Sequence, residues 1–274
     1  MSIKYLSGRK IMKIVVVGGS GLIGSRVVET LAKNGHDVLP ASPSTGVSTT
    51  TGERLNLALA GADVVIDVTN SPSFEGKAAM DFFTTSGRNL LSAEISAGIR
   101  HHIALSVVGA ERIAGIGYFR AKRAQEVLIE ESSIPYSIVH STQFFESFES
   151  IARSADNDGD VIFIPKAYFQ PIASDDVAAA VAQIALDKPG YGTVEIAGPE
   201  ELRMPEIIQR YLIAQSDPRR VSSDIHAKYF GGEIDEESAL MPNDNAILGS
   251  TTFESWLNKI ELVQSSTSGS RNGN

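Results

Sequence analysis

A four-residue aliphatic run, Ile14 to Val17, leads without a break into Gly18-Gly19-Ser20-Gly21-Leu22-Ile23-Gly24, and no other stretch constrains the fold as tightly. The run suits a strand buried on both faces. Leu22, Ile23, Val27, Val28 and Leu31 then recur at helical spacing, and Gly35 stands where a helix C-terminus commonly takes a left-handed residue. Each glycine of the GxxGxxG spacing has a physical task. A tight turn after the strand needs a residue without Cβ. The second glycine lets an anion approach the backbone at a helix N-terminus, where free N–H groups and the dipole favour negative charge. The third lets the helix pack close to the strand. A bare tight turn is the simpler alternative. A strand before and an amphipathic helix after are the context that marks a nicotinamide dinucleotide site. The cofactor contacts expected there are Gly18, Ser20, Gly21, Leu22, Ile23 and Gly24.

Strand and helix patterns go on alternating. His36–Ala41, Val64–Val68, His102–Ser106 and Tyr136–Val139 read as strands. Arg54–Leu59, Asp81–Ala97 (stopped by Gly98) and Tyr118–Glu131 read as helices. That alternation predicts an α/β fold with a doubly wound parallel sheet covered on both faces. Beyond about residue 145 the pattern loosens. Val161–Ile164 and Val194–Ile196 read as short strands, and Asp175–Leu186 and Pro205–Ala214 as helices. Thr251 to Glu254 fits a capping box opening a last helix through Trp256. With no repeat and no linker, the chain reads as one domain over 12–264, comprising a dinucleotide-binding core at 12–145 and a small C-terminal substrate lobe at 146–264. The Ser-, Gly- and Asn-rich 265–274 reads as a disordered tail.

Composition removes several classes. The chain has 274 residues, 42% hydrophobic, with a formal net charge of −9, so a sizeable core is available. It has no run of Lys or Arg suited to nucleic acid. It has no Cys, hence no disulfide, thiol nucleophile or zinc–thiolate site. No apolar run approaches the ~20 residues of a membrane span. Residues 1–10 lack a signal-peptide core and read as an extension before the first strand, with Met12 a candidate start. A cytoplasmic protein, monomeric or homodimeric and acting on a small molecule, is expected. No metal site is expected. His101 and His102 are adjacent on a strand and point to opposite faces, while Asp175-Asp176 suit a helix N-terminus.

The end of the second strand selects between cofactors. A carboxylate there binds the ribose hydroxyls of NAD and repels a 2′-phosphate. Ala41-Ser42-Pro43-Ser44-Thr45 carries none, which favours NADP over NAD and places Ser42 at the cofactor. Arg26 and Arg54 are the candidate phosphate partners. Thr69 and Asn70 follow the third strand, where they bound the cofactor or serve turn chemistry.

Tyr118-Phe119-Arg120-Ala121-Lys122 is a YxxxK, which puts Tyr118 and Lys122 on one helix face. A lysine beside a phenol lowers its pKa, so that Tyr118 could exchange a proton near neutral pH. Lys122 could also hold the nicotinamide ribose. Ser106 ends the preceding strand, and its hydroxyl could bond the reacting oxygen. A surface Tyr–Lys pair with Ser106 capping a turn is the plainer alternative. Gln143, Phe144, Phe145, Phe148, Tyr168 and Phe169 could line an apolar substrate pocket or pack a core.

Taken together, these segments resemble an atypical short-chain dehydrogenase/reductase of the NmrA-like group. The similarity rests on Gly18 to Gly24, on Gly87-Arg88-Asn89-Leu90-Leu91 before the strand ending in Ser106, and on the YxxxK. It continues through Ile134-Pro135-Tyr136-Ser137-Ile138-Val139, Ile172-Ala173-Ser174-Asp175-Asp176-Val177-Ala178 and Gly192-Thr193-Val194-Glu195-Ile196-Ala197-Gly198, spanning about 12–215. The resemblance implies a Rossmann fold with Ser106, Tyr118 and Lys122 in the family's catalytic positions. It implies an NAD(P)-dependent oxidoreductase. The alternatives are a redox sensor without turnover and an isomerase or epimerase that retains its cofactor. One departure stands out: where relatives often carry Arg-Pro-Gly, this chain has His140-Ser141-Thr142-Gln143-Phe144-Phe145.

Overall fold

The computed structural model describes residues 5–6, 9–234 and 237–260. The predicted tail at 265–274 and the last residues of the predicted domain lie outside them. The strands and helices that build the site are β1 (Lys13–Val17), α1 (Leu22–Lys33), β2 (Asp37–Ala41), α2 (Leu55–Leu59), β3 (Val64–Asp67), α3 (Gly76–Ala97), β4 (His101–Val107), α4 (Gly117–Glu130) and β5 (Tyr136–Ser141). They continue through α5 (Phe148–Ser154), β6 (Val161–Pro165), α6 (Ser174–Leu186), β7 (Tyr191–Ala197), α7 (Met204–Ala214), β8 (Arg220–Asp224) and β9 (Ile247–Leu248).

Seven strands form one parallel sheet in the order β9-β7-β5-β4-β3-β1-β2. Alternate side chains along each strand face opposite layers. Ile14, Val16, Ile66, Ile103 and Ile196 pack under α1 and α6. Val15, Val17, Val65, Ala104 and Ile138 pack with apolar residues of α2, α3 and α4. Burial on both faces is why these strands read as unbroken aliphatic runs.

Neighbouring β1 and β3 lead to opposite sides of the sheet, so their C-terminal ends open a crevice at the switch point. The sheet ends at β2. Residues 43–54 form a short 3₁₀ turn at Pro43–Thr45 and further turns, and not a strand outside β2. Beyond β5 the chain builds a second cluster, in which Phe145, Phe148, Phe169, Phe253 and Trp256 pack against α7. Beside the cluster, β6 and β8 pair in a small separate sheet.

Several boundaries differ from the sequence reading. Helix α3 starts at Gly76, because the Glu75 side chain caps it by accepting from the Lys77 and Ala78 N–H groups. Gly76 and Gly117 meet there: a Cβ on Gly76 would lie 2.8 Å from the Gly117 Cα. The last helix, residues 253–260, is capped by Thr252, whose Oγ1 accepts from the Ser255 N–H at 3.2 Å. The box proposed on Thr251 and Glu254 is thus off by one. Strands β8 and β9 were not anticipated; each is short and takes its partner from far along the chain.

Candidate active site

A cavity of about 680 Å³ runs from the crevice at β1 and β3 to the second lobe. At its first end Gly18 takes a left-handed conformation (φ +82°) that favours glycine. A Cβ on Gly19 would lie 2.8 Å from the Pro40 Cα, and one on Gly24 would strike the Gly18 carbonyl. Gly24 therefore closes the turn against the helix and is not on the cavity wall; Gly18, Ser20, Gly21, Leu22 and Ile23 are. Helix α1 opens on Gly21 with no capping side chain and no acidic residue in its first turn. Its leading N–H groups and positive dipole end are left for an anion, so these residues fit a pyrophosphate.

Ser42, Thr69 and Asn70 lie on the same wall. Ser42 is buried, its hydroxyl 2.8 Å from that of Ser44, and it forms a capping box with Thr45. Of the two candidate arginines, Arg26 is bonded to Asp175 at 2.6 Å and to the Leu22 carbonyl. Arg54 lies beside the Ser42–Gly46 turn instead, where a Cβ on Gly46 would meet its Nη1 at 3.0 Å. Buried Asp67, at the end of β3, accepts from the Thr69 N–H and hydroxyl and from Gln125.

Ser106, Tyr118 and Lys122 all border the cavity, but they do not bond one another. The Tyr118 hydroxyl donates to the Asn70 side-chain oxygen at 2.8 Å. Burial pushes its pKa well above the ordinary phenol range, and the bond to Asn70 offsets this only in part. The expected lowering by Lys122 is not found. That ammonium donates to the Leu105 carbonyl (2.9 Å) and to Gln125 (2.6 Å), and sits 4.4 Å over the Phe83 ring. Burial brings Lys122 down to about 8, against the pull of Asp67 and Glu126. The Ser106 hydroxyl donates to Glu126, which also takes bonds from His140 (2.8 Å) and Arg123 (3.1 Å). Ser106 projects to the face of β4 covered by α4, and its proton is committed there.

The predicted substrate residues divide. Gln143 and Phe144 line the cavity. Phe145 and Phe148 do not: a 3₁₀ turn at Phe145–Ser147 and helix α5 rotate both rings into the second cluster, 1% and 0% exposed. Phe169 joins them there, while Tyr168 stacks with Arg203 in a separate groove. The rings that do wall the far end are Phe74, Tyr118, Tyr229 and Phe230. Phe74 and Phe230 stack at 4.7 Å, and Phe74 meets Tyr118 at 5.1 Å. Phe74, Tyr229 and Phe230 come from irregular loops without periodicity, and nothing local in the sequence marks them.

Fold and crevice define a dinucleotide-binding α/β protein of the short-chain reductase type. The chain belongs to the NmrA-like family, whose model matches residues 46–213. It is 28% identical over 232 residues to an NAD(P)H azoreductase of Xenophilus azovorans, covering 76% of this chain and 75% of that one. It is 23% identical over 224 residues to the photosystem II assembly factor Ycf39 of a Synechocystis strain, covering 72% of this chain. That match spans 66% of the assembly factor, just under two thirds of its length. Among solved structures, a dTDP-4-dehydrorhamnose reductase of Bacillus anthracis in complex with NADP superposes with a TM-score of 0.66 at 14% identity, covering 92% of this chain and 98% of that one. Among the described residues, no helix is long and apolar enough to cross a membrane, and no cluster of side chains is suited to a metal ion.

Proposed function

We propose that the protein is an NAD(P)-dependent oxidoreductase that reduces a carbonyl group on a small apolar substrate, with NADP preferred. The observation that carries this is one continuous cavity. It joins a glycine turn suited to a pyrophosphate, at one end, to the hydroxyl of half-buried Tyr118 at the other. The bound dinucleotide would supply a hydride. The chain's own contribution is the proton. Tyr118, held protonated by burial, gives its hydroxyl hydrogen to the oxygen that becomes the alcohol, and recovers one from solvent through the cavity mouth. Asn70 orients that hydroxyl in the resting site. Lys122, tied to β4 and to Gln125, lies on the wall where a ribose would pass. The NAD(P)H azoreductase relative supports reductive chemistry drawing on a nicotinamide dinucleotide. NADP preference rests on the carboxylate-free Ser42 turn and on Arg54 beside it.

The test is hydride-transfer kinetics on Tyr118→Phe. The ring and its packing stay while the transferable proton is lost, so turnover should fall by about 10²–10⁴ with cofactor affinity unchanged. Parental turnover would remove Tyr118 from the reaction. A second reading, a dinucleotide sensor without turnover, is favoured by one observation: Ser106 and Lys122 are bonded away from Tyr118. Tight NADP binding with no turnover across a broad carbonyl panel would establish that reading.

A further inference from the structure

Behind the cavity wall, a buried chain of hydrogen bonds joins Thr69 to Lys122. One carboxylate oxygen of Asp67, at the end of β3, accepts from the Thr69 N–H at 3.0 Å and from its hydroxyl at 2.7 Å. The other accepts from the side-chain NH2 of Gln125 at 3.0 Å. The carbonyl oxygen of that same amide accepts from the Lys122 ammonium at 2.6 Å. Asp67, Gln125 and Lys122 are 3%, 2% and 3% exposed. The two ends, Thr69 and Lys122, border the cavity, while Asp67 and Gln125 stand behind it.

The order of groups fixes which way the amide points. An amide has a donor end and an acceptor end. Turned over, the Gln125 amide would set its NH2 against an ammonium and its oxygen against a carboxylate. Asp67 therefore locks the oxygen onto Lys122. The Leu105 carbonyl accepts a second N–H of the ammonium at 2.9 Å, and the Phe83 ring of α3 lies 4.4 Å from the nitrogen. An ammonium has three N–H groups, so one remains for a group in the cavity.

Among the described residues that line the cavity, Lys122 is the only one with a formal charge. Two carboxylates act on it: Asp67, and Glu126 one turn on in α4. Glu126 is itself engaged by His140 of β5, Ser106 of β4 and Arg123. Tyr118 shares the wall but bonds Asn70. Burial works against the ammonium and the carboxylates sustain it, which leaves Lys122 at about 8.

We propose that Gln125 is a positioning residue for the dinucleotide: locked by Asp67, it holds Lys122 at the wall as a charged donor to the anionic cofactor. Gln125 acts only through Lys122. The inference rests on the dinucleotide reading of the cavity and is tested without turnover.

The experiment is calorimetric titration of oxidised NADP from about pH 7 to about pH 9.5. The parent should lose about three- to tenfold in affinity over that range, as Lys122 gives up its charge. Lys122→Met should bind more weakly at pH 7 and lack this fall. Gln125→Leu should match Lys122→Met at pH 7 to within about twofold, because the ammonium loses both an acceptor and its anchor. Gln125→Met, which keeps the length of the side chain, replaces it if the leucine variant does not fold. The double variant Asp67→Asn/Gln125→Glu moves the carboxylate one place along the chain, with every donor still facing an acceptor. It should restore parental affinity at pH 7 to within about twofold. Its fall should come at least about one pH unit higher, since the carboxylate now touches the ammonium. A purely structural glutamine would not move that midpoint.

The proposal fails if a folded Gln125→Leu or Gln125→Met keeps both parental affinity and the parental pH profile. It fails if the double variant, folded, does not regain affinity or falls at the parental pH. It fails on the unaltered chain if the parent's profile is flat and Lys122→Met binds NADP equally well. Binding of neither NADP nor NAD by the parent would overturn the dinucleotide reading and this proposal with it. The expected profiles without reduction of any carbonyl compound would support the Gln125 assignment and count against the reductase reading.

Discussion

Two glutamates face β4 from neighbouring helices, each paired with a histidine, and they behave in opposite ways. Glu94 of α3 is fully buried, with both carboxylate oxygens 2.9 Å from the Nδ1 of His102. Burial raises its pKa. His102 is drawn down by burial but pushed up more strongly by Glu94, so this pair holds on to a proton. Glu126 of α4 is also buried, but it accepts from His140, Ser106 and Arg123. Burial pushes its pKa up, and those bonds bring it below the ordinary carboxylate range. The difference lies in the number of donors. One donor in a sealed place leaves a carboxylate under-solvated, whereas three replace its water. The sealed pair sits toward the strand's N-terminal end, and the ionised one at its C-terminal end beside the cavity.

Four outcomes would sharpen or break this contrast. The largest is Glu126→Ala, which strands a histidine and an arginine-linked network. It should cost about 3–5 kcal/mol in urea unfolding. A loss below about 1 kcal/mol would mean the three donors find other partners.

Glu94→Gln comes next. It keeps the volume and one acceptor for His102 but removes the charge, for a cost of about 1–3 kcal/mol. A cost matching that of Glu126→Ala would erase the distinction between the sites.

The pH dependence follows, with signs that oppose. The folded Glu94–His102 pair keeps a proton that the unfolded chain releases above about pH 6.5, so its contribution falls as pH rises. Glu126 has a lowered folded pKa. Its contribution is present above the unfolded value of about 4.3 and is lost as pH falls. His101, brought down to about 4 mainly by burial, adds to the acid-side loss. The double variant Glu94→Gln/His102→Gln should flatten the alkaline arm of a stability–pH curve and leave the acid arm unchanged. Glu126→Gln should do the reverse. Parallel changes in both arms would contradict the assignment.

The smallest effect is Arg123→Ala. Arg123 is 39% exposed and shared with Glu130, so its loss should cost under about 1 kcal/mol by the same unfolding assay.

Legibility from the sequence follows the range of the interactions. Gly18 to Gly24 could be read because the whole device is local: the strand, the left-handed turn, the uncapped helix start and the close approach of Gly24 to Gly18 lie within a few residues. The spacing of Tyr118 and Lys122 was equally readable. What each bonds to was not, since Asn70, Leu105 and Gln125 are brought to them by packing. Phe144 and Phe145 are adjacent, yet one faces the cavity and the other the core. A 3₁₀ turn that no local pattern announced made that division.

Chain chemistry by itself determined the alternation of strands and helices, the doubly buried sheet and the glycine-lined, uncapped start of α1. These follow from side-chain period, glycine geometry and the helix dipole, which act over one or two turns of chain. Only the tertiary structure decided that Ser106 turns to Glu126, that Lys122 leaves Tyr118 for the end of β4, and that Phe74, Tyr229 and Phe230 converge on one end of the cavity. Those outcomes depend on which buried polar group finds which partner. That choice is made across the sheet and between lobes, among residues up to about a hundred positions or more apart, where sequence spacing carries no information.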